Sequence, residues 1–276
     1  MDNTTGSPST QTRNNSTLAA SGKRQQRIIG QAIGFTLWGI GLLLFIVSCF
    51  VIHAHPQPYP IDITTTQTLQ NLQDVNWADT ILHFVGVAID PITSGTVLAL
   101  WVVALLLAGW VSRLRGRSPM RWWVSAIFLA VLGAGTFGLN QLIDQLVNRP
   151  RPTSDTAPIR HHTNLIPIPT YPSGHVEFAV VFYGFLLFLS FTKPVREWRY
   201  RWVLIPFQLY AVFDILTVGI ARITELDHWL TDVLAAYFEG ALYLVAFIFL
   251  YQWTIRKLEE RRAKKLAEKS TQNQQA

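Results

Sequence analysis

An all-α polytopic membrane protein, with six transmembrane helices and short amphipathic helices in the first external loop, is the fold class this sequence predicts. Three observations predict it. Half of the 276 residues are apolar and only 14% are charged, against about 25% charged in a soluble domain. The apolar residues fall in long runs, several reaching the ~20 residues that cross a hydrocarbon core. Basic residues gather at the ends of those runs. Helices are the form such runs take in lipid, because a helix satisfies its own backbone hydrogen bonds.

Residues 1–22 are rich in Ser, Thr, Asn and Gln. That composition buries no core and predicts a disordered tail. The membrane domain, residues 23–255, holds six expected spans at roughly 28–52, 91–111, 122–147, 175–191, 202–220 and 229–253. The first run is longer than a signal-peptide core and lacks a clear cleavage site, so it reads as a retained anchor. It carries Gly30 and Gly34, and the third carries Ala130, Ala134 and Gly138. Four-residue spacing of small residues lets helices approach closely. Between the first two spans, residues 67–89 mix Leu69, Leu72, Trp77, Ile81, Phe84 and Val85 with polar residues, the pattern of surface-lying amphipathic helices. Residues 256–276 form a basic tail in which Glu260 and Lys264 stand at helical i,i+4 spacing.

Nineteen of the 23 basic residues lie before the first span, between spans two and three, between four and five, or after six. The positive-inside rule makes that side cytoplasmic, with both termini there. This placement also argues against nucleic acid as the partner of a chain with net charge +6, since no basic face of a soluble domain is formed. Cys49 is the sole cysteine, so no intrachain disulfide forms. The four remaining basic residues, Arg149, Arg151, Arg160 and Arg222, fall on the external side, against the topological preference.

Three external segments carry chemistry-bearing residues: NRPRP at 148–152, PSGH at 172–175, and ARITELDHWLTD at 221–232. Arg151 and Arg222 supply planar cationic forks suited to phosphate oxygens. Ser173 and Gly174 stand at an expected helix start, where free backbone N–H groups favour an anion. His175 and His228 can act as acid, base or nucleophile near neutral pH. Asp232 follows His228 by four residues, so on a helix its carboxylate could accept one ring N–H and leave the other nitrogen free.

The ordered set Arg151-Pro152, Pro172-Ser173-Gly174-His175 and Arg222-x5-His228-x3-Asp232 resembles the type 2 phosphatidic acid phosphatase family, over roughly residues 28–253. The resemblance implies an integral membrane phosphatase acting on a lipid phosphate or diphosphate, such as phosphatidylglycerol phosphate, phosphatidate or undecaprenyl diphosphate. It implies that His228 attacks phosphorus to give a phosphohistidine, that Asp232 orients it, and that His175 protonates the leaving oxygen. Arg151, Ser173, Gly174 and Arg222 would bind the phosphoryl oxygens. No metal or other cofactor is implied; the partners are the lipid substrate and the bilayer. A bacterial inner membrane, with the site at its external face, is the setting implied.

Two positions depart from the family's pattern. Asp144 stands where the family has lysine, and Ala221 where it has serine. Arg149 or Arg160 could supply the missing cation, the site could prefer a less charged or differently shaped phosphate, or the enzyme could be impaired. Glu177 lies outside the pattern; it could pair with an arginine, tune a histidine, or simply favour the helix dipole. His53, His55 and His83 read as hydrogen-bonded or interfacial residues, His161 and His162 as loop residues, and mid-span Asp214 as an internal hydrogen-bonding group. Competing functions are an intramembrane protease or metal-dependent hydrolase, using Ser173 with a histidine or a His/Asp cluster, and a non-catalytic lipid-phosphate binder or transporter that keeps the anion site.

Overall fold

A computed structural model describes residues 8–88, 90–160 and 168–275. His161 and His162 lie outside the described residues. The chain divides into two compact units, Met1–Ile46 and Val47–Ala276. The described part of the first unit is the N-terminal stretch of helix α1 (Pro8–Ala54). Residues 8–22 continue this helix, where composition predicts a structureless tail. Once an apolar segment has nucleated a helix, each further residue adds one hydrogen bond at small cost, even in a polar sequence.

The second unit takes the last turns of α1, then α2 (Pro60–Leu69), a 3-10 turn (Gln70–Asp74) and α3 (Asn76–Ala88), the short helices expected in this loop. Next come α4 (Pro91–Leu114) and α5 (Met120–Val147). Helix α6 (Gly174–Phe178) runs through a π turn (Ala179–Tyr183) into α7 (Gly184–Ser190). Helices α8 (Ile205–Thr224) and α9 (Leu230–Gln275) complete it. No strand occurs among the described residues. Among the described residues, five segments are long and apolar enough to cross a membrane: Ile29–Ala54, Ile92–Leu114, Met120–Val147, Arg201–Thr224 and Leu230–Gln274. The remaining expected span is the shorter apolar Gly174–Ser190.

That shorter segment is the most enclosed part of the unit. Val176, Ala179, Val181, Phe182 and Phe185 are all buried, in one cluster with residues of α5, α8 and α9. By contrast Leu100, Trp110, Leu139, Leu146, Leu209 and Leu216, on α4, α5 and α8, are exposed. Apolar side chains turned outward along a span are what a lipid solvent requires. The close approach of α4 and α5 falls on a different face from the Ala130, Ala134 and Gly138 series. A Cβ on Gly133 would sit 2.5 Å from the Leu98 side chain, whereas one on Gly138 would meet open space.

Helix ends place the three candidate segments. The Asp90 carboxylate accepts from the Ile92 N–H at 3.2 Å and Pro91 opens α4, an N-cap with proline in the first turn. Helix α5 stops at Asn148, which adopts φ 52°, a left-handed cap that asparagine tolerates. The turn delivers Arg149, Pro150 and Arg151 at the end of the span. Before α9, Leu226 also takes a positive φ of 63°. The N–H groups of Asp227 and His228 then both donate to the Arg222 carbonyl, at 3.0 and 3.3 Å.

Candidate active site

The segments at 148–152, 172–175 and 221–232 meet. Trp229 is fully buried and its indole N–H donates to the Pro150 carbonyl at 3.1 Å, tying the α8–α9 turn to the NRPRP segment. The Ser173 N–H donates to the Asp232 carbonyl at 3.3 Å, tying the PSGH segment to α9. The rings of His175 and His228 lie edge to face with centroids 6.2 Å apart.

His228 is buried, and its Nδ1 lies 2.8 Å from the Thr170 carbonyl oxygen. A carbonyl can only accept, so Nδ1 carries the proton and Nε2 keeps its lone pair. Nε2 is buried and has no hydrogen-bond partner. Burial, then the positive charge of Arg151, holds the imidazole well below its usual pKa. The ring is therefore neutral near neutral pH, the form in which an imidazole attacks.

The i,i+4 spacing predicted that Asp232 would hold the ring directly. That contact is not made, because the nearest carboxylate oxygen stands 4.0 Å from Nδ1. Thr170 intervenes: its hydroxyl lies 2.8 Å from Nδ1 and donates to Asp232 at 2.9 Å. Asp232 is instead saturated by other donors. It accepts from the Trp229 N–H at 2.8 Å and from Arg149.

Arg149 is fully buried and cannot supply the charge missing at position 144. It donates to Asp232, to Asp62 at 2.7 Å and to the Thr231 hydroxyl at 2.7 Å. Asp62, from α2, also accepts from the Thr231 N–H at 2.9 Å, so it caps the first turn of α9 across the fold. Arg160 is exposed and paired with Asp74 at 2.6 Å. Neither arginine reaches the cavity described next.

A cavity of about 390 Å³ is walled by Arg151, Gly174, His175 and His228, together with Asp144 and Glu177. Leu98, Gly133 and Phe137 extend it as an apolar cleft between α4 and α5. Gly174 is required by close approach: a Cβ there would lie 2.7 Å from Asn140 Oδ1, while the Asn140 amide donates to the Pro172 carbonyl at 3.2 Å. Ser173 is fully buried and its hydroxyl has no partner. Arg222 and Asp232 stand behind the wall rather than on it.

Asp227 bridges the two arginines that the sequence assigned to phosphate. Its carboxylate accepts from Arg151 at 3.2 Å and from Arg222 at 2.8 Å. Glu225 also pairs with Arg222, and burial pushes its carboxyl above the usual range. Acids thus occupy the guanidinium forks that the sequence assigned to phosphate. Glu177 pairs with no arginine; it is buried with Oε1 unpartnered. Among the bland expectations, His53 Nδ1 lies 3.2 Å from the Val147 carbonyl and Tyr210 donates to Asp214 at 3.2 Å.

Four contributors were not found from sequence: Thr170, Asp227, Asp62 and Asn140. Thr170 acts through backbone and hydroxyl in an irregular loop, and no spacing marks it. Asp227 could have been suspected, since it adjoins His228 and adds a negative charge beside an anion site.

With this geometry in view, residues 124–257 match the PAP2 superfamily model. The fold is similar to that in the crystal structure of the first transmembrane PAP2 type phosphatidylglycerolphosphate phosphatase from Bacillus subtilis. The TM-score is 0.54 at 18% identity, covering 80% of this chain and 96% of that one. No curated protein matches the chain at a significant level. The matched span contains the NRPRP, PSGH and ARITELDHWLTD segments.

Proposed function

From the PAP2 superfamily match over residues 124–257, we propose that this multi-pass membrane protein releases phosphate from a lipid phosphate or diphosphate through a phosphohistidine at His228. The observation that carries the reading is the state of that ring. Its Nδ1 proton is fixed on the Thr170 carbonyl, and its Nε2 is buried without a partner in a cavity shared with Arg151 and His175.

In the proposed reaction the Nε2 lone pair attacks phosphorus and the bond to the leaving oxygen breaks. His175 gives that oxygen a proton. It then takes a proton from the water that attacks the phosphohistidine, so inorganic phosphate leaves and both rings return to their starting state. Arg151, the Gly174 backbone N–H and, after release of Asp227, Arg222 hold the phosphoryl oxygens. Donors fixed in this way contribute most where charge develops, and loss of one costs about 10²–10³ in rate in a well-studied hydrolase. The apolar cleft lined by Leu98, Gly133 and Phe137 receives the hydrocarbon tail. We place the site at the external face and both termini in the cytoplasm on the distribution of basic residues, and in a bacterial inner membrane on the family resemblance.

The test is phosphate release from a panel of mono- and diphosphate lipids, with purified wild-type protein and His228→Ala, each with and without a strong chelator. Wild type is expected to turn over in chelator, and His228→Ala to lose at least 10³-fold. Equal turnover by the two proteins would defeat the nucleophile assignment. Loss in EDTA restored by a divalent ion would defeat the metal-free scheme. One observation favours a second reading, a non-catalytic lipid-phosphate binder: acids, not open donors, face both guanidinium forks. Binding of lipid phosphate with no turnover by wild type would support it.

A further inference from the structure

Two acid side chains on the cavity wall each carry one oxygen without a donor. Asp144 is 5% exposed and Glu177 1% exposed. Asp144 Oδ1 and Glu177 Oε1 are both buried without a hydrogen-bond partner, and both residues line the cavity that holds His175, His228 and Arg151. Buried acceptors are nearly always satisfied, and each one left unpaired calls for an explanation. Neither the phosphate-binding scheme nor the fold uses these two oxygens. They offer a phosphoryl group no donor, so the phosphate belongs with Arg151 and His228. Asp144 and Glu177 then face another part of the same molecule, and that part must donate hydrogen bonds. No group of three or more His, Cys, Asp or Glu that could hold a metal ion occurs among the described residues.

We propose that the cavity selects a phosphate ester whose alcohol carries a primary amine, with the ammonium between Asp144 and Glu177 and the phosphoryl group between Arg151 and His228. An ammonium brings three N–H donors and no acceptor, so it satisfies both orphaned oxygens at once. Its charge also suits a site whose arginines are already countered by Asp227 and Glu225. Aspartate at the position where the resembled family has lysine exchanges a group that attracts phosphate for one that attracts the amine beside it. A hydroxyl in place of the amine brings one donor and no charge, and leaves one acid oxygen unpaired. This selectivity rests on the phosphatase reading for its substrate, but not on turnover for its test.

The probes are a long-chain 2-amino-alcohol 1-phosphate and the 2-hydroxy lipid phosphate of the same chain length. Affinity for each is measured by equilibrium binding to full-length His228→Ala protein in nanodiscs, which reads selectivity whether or not the wild type is active. The amine is expected to bind at least tenfold more tightly, and kcat/KM of wild type to follow the same order. Asp144→Asn and Glu177→Gln, each combined with His228→Ala, are expected to bring the ratio below about threefold. Two variants are used so that failure of one to fold leaves the other to decide. Equal affinity for the two lipids, or a preference that survives in either folded variant, overturns the proposal. Amine preference in binding with no phosphate release by wild type would sustain it while removing the phosphatase reading.

Discussion

Asp227 has a carboxylate where a phosphate is expected, gripped by Arg151 and Arg222. A ligand anion has to displace it. Asp227→Asn is therefore expected to tighten inhibition by orthovanadate about tenfold, equivalent to about 1.4 kcal/mol. Weaker inhibition would mean that Asp227 positions the arginines instead of competing for them. His228 yields a second expectation at this scale. Its folded pKa lies well below the unfolded value of 6.5, chiefly through burial. The unfolded chain thus takes up the proton first as pH falls. The contribution of this group to stability is intact above pH ~6.5 and is lost progressively below it. The neutral nucleophile persists into the same range, so the acid limb of kcat/KM due to His228 is expected below pH 6.5. A limb assigned to His228 by its loss in a variant, but centred above 6.5, would contradict the buried, unpartnered ring.

Helix α3 controls the arginine from the side. A Cβ on Gly86 would fall inside van der Waals contact of both Arg222 and Glu225. Gly86→Ala is expected to displace that pair at a cost of about 1–3 kcal/mol. The change should raise KM for a lipid phosphate several-fold while leaving the His228 and His175 rings in place. Steady-state kinetics would check it, and an unchanged KM would mean that Arg222 does not contact substrate. The expectation of short helices in this loop came from the interleaving of Leu69, Leu72, Trp77, Ile81, Phe84 and Val85 with polar residues. That α3 packs on α8 with a glycine at the contact could not be read there, because a glycine in a helix names no neighbour. Small-residue spacing on α5 was misleading for the same reason. The close contact with α4 chose Gly133 and left Gly138 open.

Across the second unit, one buried network holds the α8–α9 turn to the loop between α1 and α4. Arg149 bridges Asp62 and Asp232, with all three side chains fully buried. Removing one partner from such a set leaves an uncompensated buried charge and costs about 3–5 kcal/mol. Asp62→Ala also frees the Thr231 N–H it caps. It is expected to lower the thermal unfolding midpoint in detergent sharply and to reduce activity, although Asp62 touches no substrate. An unaltered midpoint would show that the network adds nothing to stability.

The sequence by itself determined the solvent of this protein, the approximate bounds of its apolar segments, and the three motifs that gather in one site. Each of those rests on local quantities: hydropathy summed along a run, charge beside it, and residue types at short spacing. The tertiary structure alone decided which acid meets which arginine. It turned Arg149 from a candidate phosphate ligand into a buried strut, put Thr170 between His228 and Asp232, and left one oxygen each of Asp144 and Glu177 without a donor. The reason is that a buried ionic or hydrogen-bonding pairing is fixed by the approach of segments far apart in the chain. Asp62 and Thr231 are 169 positions apart, and no local pattern records such an approach.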